Sequence, residues 1–316
     1  MNGIGTLRTF EGKNGIPLHG VAFMPEVGTY FVEVDGELVE KAYKPLGSLY
    51  FVHGISARWE DYASLLVPLS RSFNVYAYNQ RGHGSSPGKF DVMAAADDLE
   101  CIIEKEREGP IGILAHSLGC MAAVVAKRFE KKGKPLDGVF MMAPYLGMEF
   151  LRWPQRYAIR VLSHLRPALK IVDRLLNSME SWREKHGFHQ RYVLDSFAEL
   201  ASVNAEDSRG MTMPVGYILT ENDRVLGTHR QKHYFACMDL LRNLLPHGVN
   251  YTNTEIAFLN HCLNMDVVKP YLIPFLKVEP RTAEREAQRA YVLGSIYLFF
   301  KAVFEKNLKP ADGNPQ

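Results

Sequence analysis

A chain of 316 residues that is 47% hydrophobic and 23% charged carries enough apolar material for a large folded core, which excludes an intrinsically disordered protein. With 37 basic and 35 acidic residues the formal charge is only +2, so no bulk field recruits nucleic acid and any charge effect has to be local. Cys101, Cys120, Cys237 and Cys262 stand far apart with no CxxC pair, which argues against a disulfide framework or zinc ribbon and for a reducing, cytoplasmic setting.

Residues 1–15 hold glycines and polar residues without the apolar run of a secretory signal. Residues 7–11 and 17–24 read as an antiparallel entry, and 31–34 with 37–43, joined by Asp35-Gly36, as a further hairpin. Short apolar runs follow at 48–53, 74–78, 111–116, 138–143, 215–220 and 250–257. They alternate with stretches of near 3.6-residue periodicity at 59–70, 94–106, 118–131, 229–244 and 282–305. This alternation predicts βα units feeding a mostly parallel sheet.

About seventy residues separate Ala143 from Val215, too many for a simple connection and rich in helical pattern. They predict a helical cap at 147–211, set between core segments 1–146 and 212–316. The longest uncharged apolar run, 290–300, is about half of the roughly 18 to 20 residues a bilayer span requires. Residues 307–316, with Pro310, Gly313 and Pro315, read as a frayed end.

The strongest chemical signal is Leu114-Ala115-His116-Ser117-Leu118-Gly119, where an apolar run gives way to a helix-forming one. Small residues two before and two after a serine suit a strained strand-to-helix turn that pushes the hydroxyl outward, with a helix N-terminus behind it. Ser117 is therefore the candidate nucleophile. A serine needs a base to take its proton and a carboxylate to orient that base, and in open α/β folds these follow in the order Ser, acid, His. Asp223 follows the run at 215–220 and is preferred as the acid over its neighbour Glu221. His261 lies in a loop ahead of the final helix and is the candidate base. The amides of Leu118 and of Ile55, the latter after Val52-His53-Gly54, are the candidate oxyanion donors.

Phe51-Val52-His53-Gly54, Gln80-Arg81-Gly82-His83-Gly84-Ser85, Ala115-His116-Ser117-Leu118-Gly119, Asp223 and His261 together resemble the α/β-hydrolases, most closely the monoacylglycerol lipase and lysophospholipase group. The resemblance covers residues 45–275 and is weakest in the cap. It implies a doubly wound, mostly parallel sheet of eight strands with the cap after the sixth, and acyl transfer to water without metal or organic cofactor. His53, Gly54, His116 and Tyr145 are expected to line the substrate site. Two departures stand out. Asn79 occupies a position that is often aspartate, and Ala115 and Cys120 replace two elbow glycines. Cys120 reads as a packed thiol rather than a second nucleophile.

The first half of the cap is basic, with Arg152, Arg156 and Arg160, then Arg166, Lys170 and Arg174, at i, i+4 spacing beside apolar faces. That pattern fits either a solvated outer face or a helix lying on an anionic membrane. His186 and His189 have a spacing that suits a metal on a helix, but no further ligands lie nearby, and they read as solvated or capping. The preferred reading is an ester hydrolase acting on lipid-like substrates such as monoacylglycerols or lysophospholipids. A thioesterase or aminopeptidase on the same core, or a non-catalytic protein retaining the fold, are the alternatives.

Overall fold

The computed structural model describes residues 4–25, 29–34, 37–42, 44–107, 109–185, 189–221, 223, 225–252 and 282–308. Strands β1 (Ile4–Glu11) and β2 (Pro17–Met24) pair antiparallel in full register, Ile4 opposite Met24 and Glu11 opposite Pro17. Strands β3 (Thr29–Val34) and β4 (Glu37–Ala42) form a separate two-stranded sheet, the hairpin expected around Asp35-Gly36. The remaining strands are β5 (Ser48–Val52), β6 (Asn74–Tyr78), β7 (Ile111–His116), β8 (Gly138–Met142), β9 (Val215–Ile218) and β10 (Gly248–Asn250).

Eight strands make one sheet in the order β1-β2-β6-β5-β7-β8-β9-β10, antiparallel at β1-β2-β6 and parallel from β6 to β10. Strands β5, β7, β8 and β9 are buried along their whole length, as a sheet covered on both faces requires. That burial is why they read as continuous apolar runs rather than alternating ones. The final strand differs from expectation: β10 spans 248–250, its second and third residues are exposed at the sheet edge, and most of the run expected at 250–257 lies outside the described residues.

The helices are α1 (Ala63–Leu69), α2 (Val92–Lys105), α3 (Gly119–Lys131), α4 (Trp153–His164), α5 (Arg166–Ser178), α6 (Glu180–Lys185), α7 (Val193–Glu199), α8 (Gln231–Leu244) and α9 (Thr282–Leu308). Helix α2 starts two residues earlier than its periodicity suggests because the Asp91 carboxylate accepts the Ala94 amide at 2.8 Å and caps it. Helix α9 packs Val292, Ile296, Phe299, Phe300, Val303 and Phe304 against one face of the sheet together with α1 residues Leu65, Leu66 and Leu69. A Cβ at Gly112 in β7 would collide with the Phe300 ring, so the strand is bare where the aromatic seats. Helices α2, α3 and α8 cover the other face. Helices α4 to α7 lie between β8, the sixth strand of the sheet in chain order, and β9. Among the described residues no helix is long and apolar enough to cross a membrane.

Candidate active site

Strand β7 ends at His116 and α3 begins at Gly119, so Ser117 and Leu118 make the entire turn. Ser117 takes φ 58°, a left-handed conformation that costs a non-glycine residue about 1 to 2 kcal/mol. Neighbouring backbone holds it there. The Ser117 amide donates to the Met142 carbonyl at 2.9 Å, the Tyr145 amide to the Ser117 carbonyl at 2.6 Å, and the Cys120 amide to the Tyr145 carbonyl at 3.1 Å. The Leu118 amide closes the turn on itself, donating to the His116 carbonyl at 2.5 Å.

Packing explains the small flanking residues. Ala115 is fully buried, and a Cβ on Gly119 would stand 2.9 Å from Met141 Sδ and 3.1 Å from Pro144 Cβ. Ser117 keeps 7% of its surface exposed, whereas the strand beneath it is buried throughout, with His116 at 2%. Gly54, after β5, lies against the same turn: a Cβ there would be 2.9 Å from His116 Nδ1 and 3.3 Å from Ser117 Cβ. The absent side chain brings the loop carrying Ile55 beside the serine.

That loop is fixed by a buried polar network. Ser56, at φ 60°, donates its amide to His83 Nε2 at 3.2 Å and its hydroxyl to Gln190 Oε1 at 3.1 Å. The Gly84 amide donates to the His189 carbonyl and the Arg191 amide to the Gly82 carbonyl, both at 2.7 Å, which stitches 189–191 to the loop carrying His83. His189 therefore meets this loop through its backbone; His186 lies outside the described residues.

Three histidines surround the elbow, and their bonding shows what they do. His53 is fully buried; its Nε2 accepts the Gln80 amide at 3.1 Å, so the proton sits on Nδ1, 2.8 Å from the Gly54 carbonyl. Burial pushes its pKa down to about 4, so it is neutral at pH 7. His83, packed edge to face on His53 at 4.9 Å between ring centroids, is held well below the usual histidine range, chiefly by burial and next by His53. His116 Nδ1 sits 2.6 Å from the Tyr62 hydroxyl. His53 and His116, both expected to line the substrate site, have these polar atoms engaged in the loops that frame Ser117. Tyr145 braces the elbow through its backbone, and its hydroxyl donates to the Leu200 carbonyl at 2.9 Å.

Asp223 lies in the loop after β9 and is fully buried. Its Oδ1 accepts the Leu226 amide at 2.8 Å, and its carbonyl accepts the His229 amide at 3.3 Å. Glu221, the rival acid, is exposed. His261 and Cys262 lie outside the described residues. Cys120 is buried at the start of α3, and burial lifts its thiol pKa to about 12, which disfavours the thiolate a nucleophile requires. Asn79 does structural work: its Oδ1 accepts the Trp59 amide at 3.0 Å. The bonds of Tyr62 and Gln190 are not expected from the sequence, where Gln80 stands out only as part of a motif. Tyr62 and Gln80 sit among apolar or motif neighbours that give no cue, and Gln190 reaches Ser56 only through the tertiary fold.

The model of the alpha/beta hydrolase family matches residues 49–265. Two curated relatives align over shorter stretches. Protein ABHD12B of Homo sapiens is 37% identical over 81 residues, 24% of this chain and 22% of its own. The 2-(acetamidomethylene)succinate hydrolase of Mesorhizobium japonicum is 33% identical over 90 residues, 28% of this chain and 32% of its own. The chain thus spans less than a third of the length of either relative. Solved structures match across nearly the whole fold. An E-2-(acetamidomethylene)succinate hydrolase gives a TM-score of 0.55 at 18% identity over 93% of this chain and 99% of its own. A hydrolase from Pseudomonas aeruginosa PA01 gives 0.55 at 14% identity over 92% and 98%, and the epoxide hydrolase CorEH 0.54 at 15% over 95% and 100%. With an eight-stranded sheet of this order, an elbow at the end of β7 and a family model spanning residues 49–265, the chain belongs to the alpha/beta hydrolase family.

Proposed function

We propose that this chain is a serine hydrolase that cleaves carboxylic esters of lipid-like substrates through Ser117, His261 and Asp223. The observation that carries the reading is Ser117 itself, held at φ 58° at the mouth of an otherwise buried strand. Stored backbone strain of this kind is expected where a nucleophile has to be presented. In the reaction, Ser117 Oγ attacks the acyl carbonyl while His261 takes its proton, and Asp223 orients the imidazole. His261 then protonates the departing alcohol. Water, deprotonated by His261, attacks the acyl carbonyl, and His261 returns that proton to Ser117 Oγ as the acyl–oxygen bond breaks and the acid leaves.

The oxyanion is assigned to the amides of Ile55 and Leu118. The Leu118 amide, bonded to the His116 carbonyl at rest, has to be shared with or released to the oxyanion as it forms. The His83 and Gln190 network, by holding Ser56, fixes the backbone that presents Ile55.

Lipid-like substrates are supported by the outer face of the cap. Trp153 and Tyr157 stack at 5.6 Å and are 74% and 59% exposed; Ile171 and Leu175 are each 63% exposed. Arg160, Lys170 and Arg174 are exposed on the same helices. An apolar face with basic neighbours suits an anionic membrane surface. The testing experiment is a hydrolysis panel of monoacylglycerols, lysophospholipids, short-chain esters, acyl thioesters and aminoacyl amides, with Ser117→Ala as control. Preference for long-chain esters, abolished in Ser117→Ala, is the expected result; thioester or amide preference replaces the substrate assignment. Cosedimentation with vesicles should rise with anionic lipid and fall for Arg160→Ala/Arg174→Ala. Binding indifferent to both removes the membrane contact.

A further inference from the structure

A concave feature lies where the start of α4 meets the start of α8. It is an open cleft of about 490 Å³, within the size range of small-molecule sites, lined by Leu151, Arg152, Trp153, Pro154, Arg156, Arg230, Lys232, His233 and Ala236. Among these lining residues none is acidic, whereas five carry a basic side chain.

The basic groups divide into two sets. Arg156 and His233 build the walls: Arg156 donates to the carbonyls of Leu151 at 2.5 Å and Glu149 at 2.6 Å, and His233 Nε2 lies 3.1 Å from the Phe150 carbonyl and 3.0 Å from the Leu226 carbonyl. Arg152, Arg230 and Lys232 form no ion pair among the described residues. Three cations converging on one cleft without a carboxylate repel each other, and an anion relieves that repulsion. Arg152 is also positioned rather than loose. Its stem lies over Gly227, at φ 84°, where a Cβ would strike it.

The backbone adds to the same field. Helices α4, of 12 residues, and α8, of 14, follow the N-cap residues Arg152 and Arg230, neither of which makes a side-chain cap hydrogen bond, and residues of their first turns line the cleft. Two uncapped N-termini favour negative charge beside the basic side chains. The rest of the lining, Leu151, Trp153, Pro154 and Ala236, is apolar or aromatic. We propose that this cleft binds a phosphate group, with the apolar lining receiving whatever the phosphate is attached to. Guanidinium forks pair with carboxylate and phosphate oxygens alike, and the nearly double charge of a phosphate group answers three cations better than a single carboxylate does.

Calorimetry on full-length Ser117→Ala protein, titrated with inorganic phosphate and with dodecyl phosphate below its micelle concentration, separates this site from hydrolysis. One saturable site is expected. Tighter binding of dodecyl phosphate assigns the cleft to a lipid-borne phosphate, and equal affinity to a soluble one. Arg152→Ala/Lys232→Ala, at partly and fully exposed positions, should weaken binding by about tenfold or more. Lys131→Ala/Lys134→Ala, exposed basic positions outside the cleft lining, should leave it within about twofold. Absence of saturable binding overturns the proposal, as does equal loss in both double variants, which reduces the effect to general surface charge.

Discussion

The carboxyl edge of the sheet and helices α4 to α7, which lie between β8 and β9 in the chain, are packed differently. Around Ser117 the strands are fully covered, and aromatic residues of α9 fill the opposite face. In the cap, α4 has no buried residue and α5 buries only Leu169 and Asp173. Apolar contacts of Phe150, Leu200 and Phe197 with the core are joined in this segment by polar ties: Asp173 accepts the amides of Leu194 at 3.0 Å and Asp195 at 2.7 Å, and the buried Asp195 pairs with Lys89 and Arg166. One region is built to resist movement, so that a strained serine stays presented. The other exposes apolar and cationic surface, of the kind that a ligand or partner would cover.

The largest expected effect falls on the rigid region. Asp223→Asn should lower kcat on a soluble short-chain ester by about ten-thousand-fold with the fold intact, because the imidazole loses its orienting charge. A drop under tenfold in steady-state assays would move the acid role to another residue such as Glu221. Next, Phe300→Ala empties the seat beside Gly112 and should cost about 3 to 5 kcal/mol in urea unfolding. A loss below about 1 kcal/mol would mean the α9 packing contributes far less than its burial implies.

The pH dependence is a third way to separate the regions. His53 has a folded pKa of about 4 against 6.5 for the free side chain. A base depressed on folding contributes stability that is fully present above pH 6.5 and is lost as the pH falls toward 4. Between pH 7.5 and pH 5 this one group should remove about 2 kcal/mol. Denaturation midpoints at the two pH values check it, and His53→Gln should flatten that slope. At the small end, Leu175→Ser on the cap should change stability by less than about 0.5 kcal/mol, since the side chain is already 63% exposed. A larger loss would show that the cap face is packed against something in solution.

Sequence patterns disclosed the rigid region well and the cap poorly. Buried parallel strands announce themselves as apolar runs between helices, and Ala115, Ser117 and Gly119 carry the elbow in three positions. Asp223 follows from chain order and the end of β9. The bonds made by His53, His116 and Tyr145 were not legible, because proximity to the nucleophile in sequence does not say where a ring nitrogen or hydroxyl bonds. The tie from Gln190 to Ser56 and the seat of Arg152 on Gly227 join residues far apart in the chain, so no local pattern encodes them.

The most direct test of the account is covalent labelling. A fluorophosphonate probe incubated with the full chain, followed by proteolysis and mass spectrometry, should add one probe to the peptide containing Ser117 and none to Ser117→Ala, with ester hydrolysis lost in parallel. Labelling elsewhere, or hydrolysis that persists in Ser117→Ala, would contradict a nucleophile at this elbow.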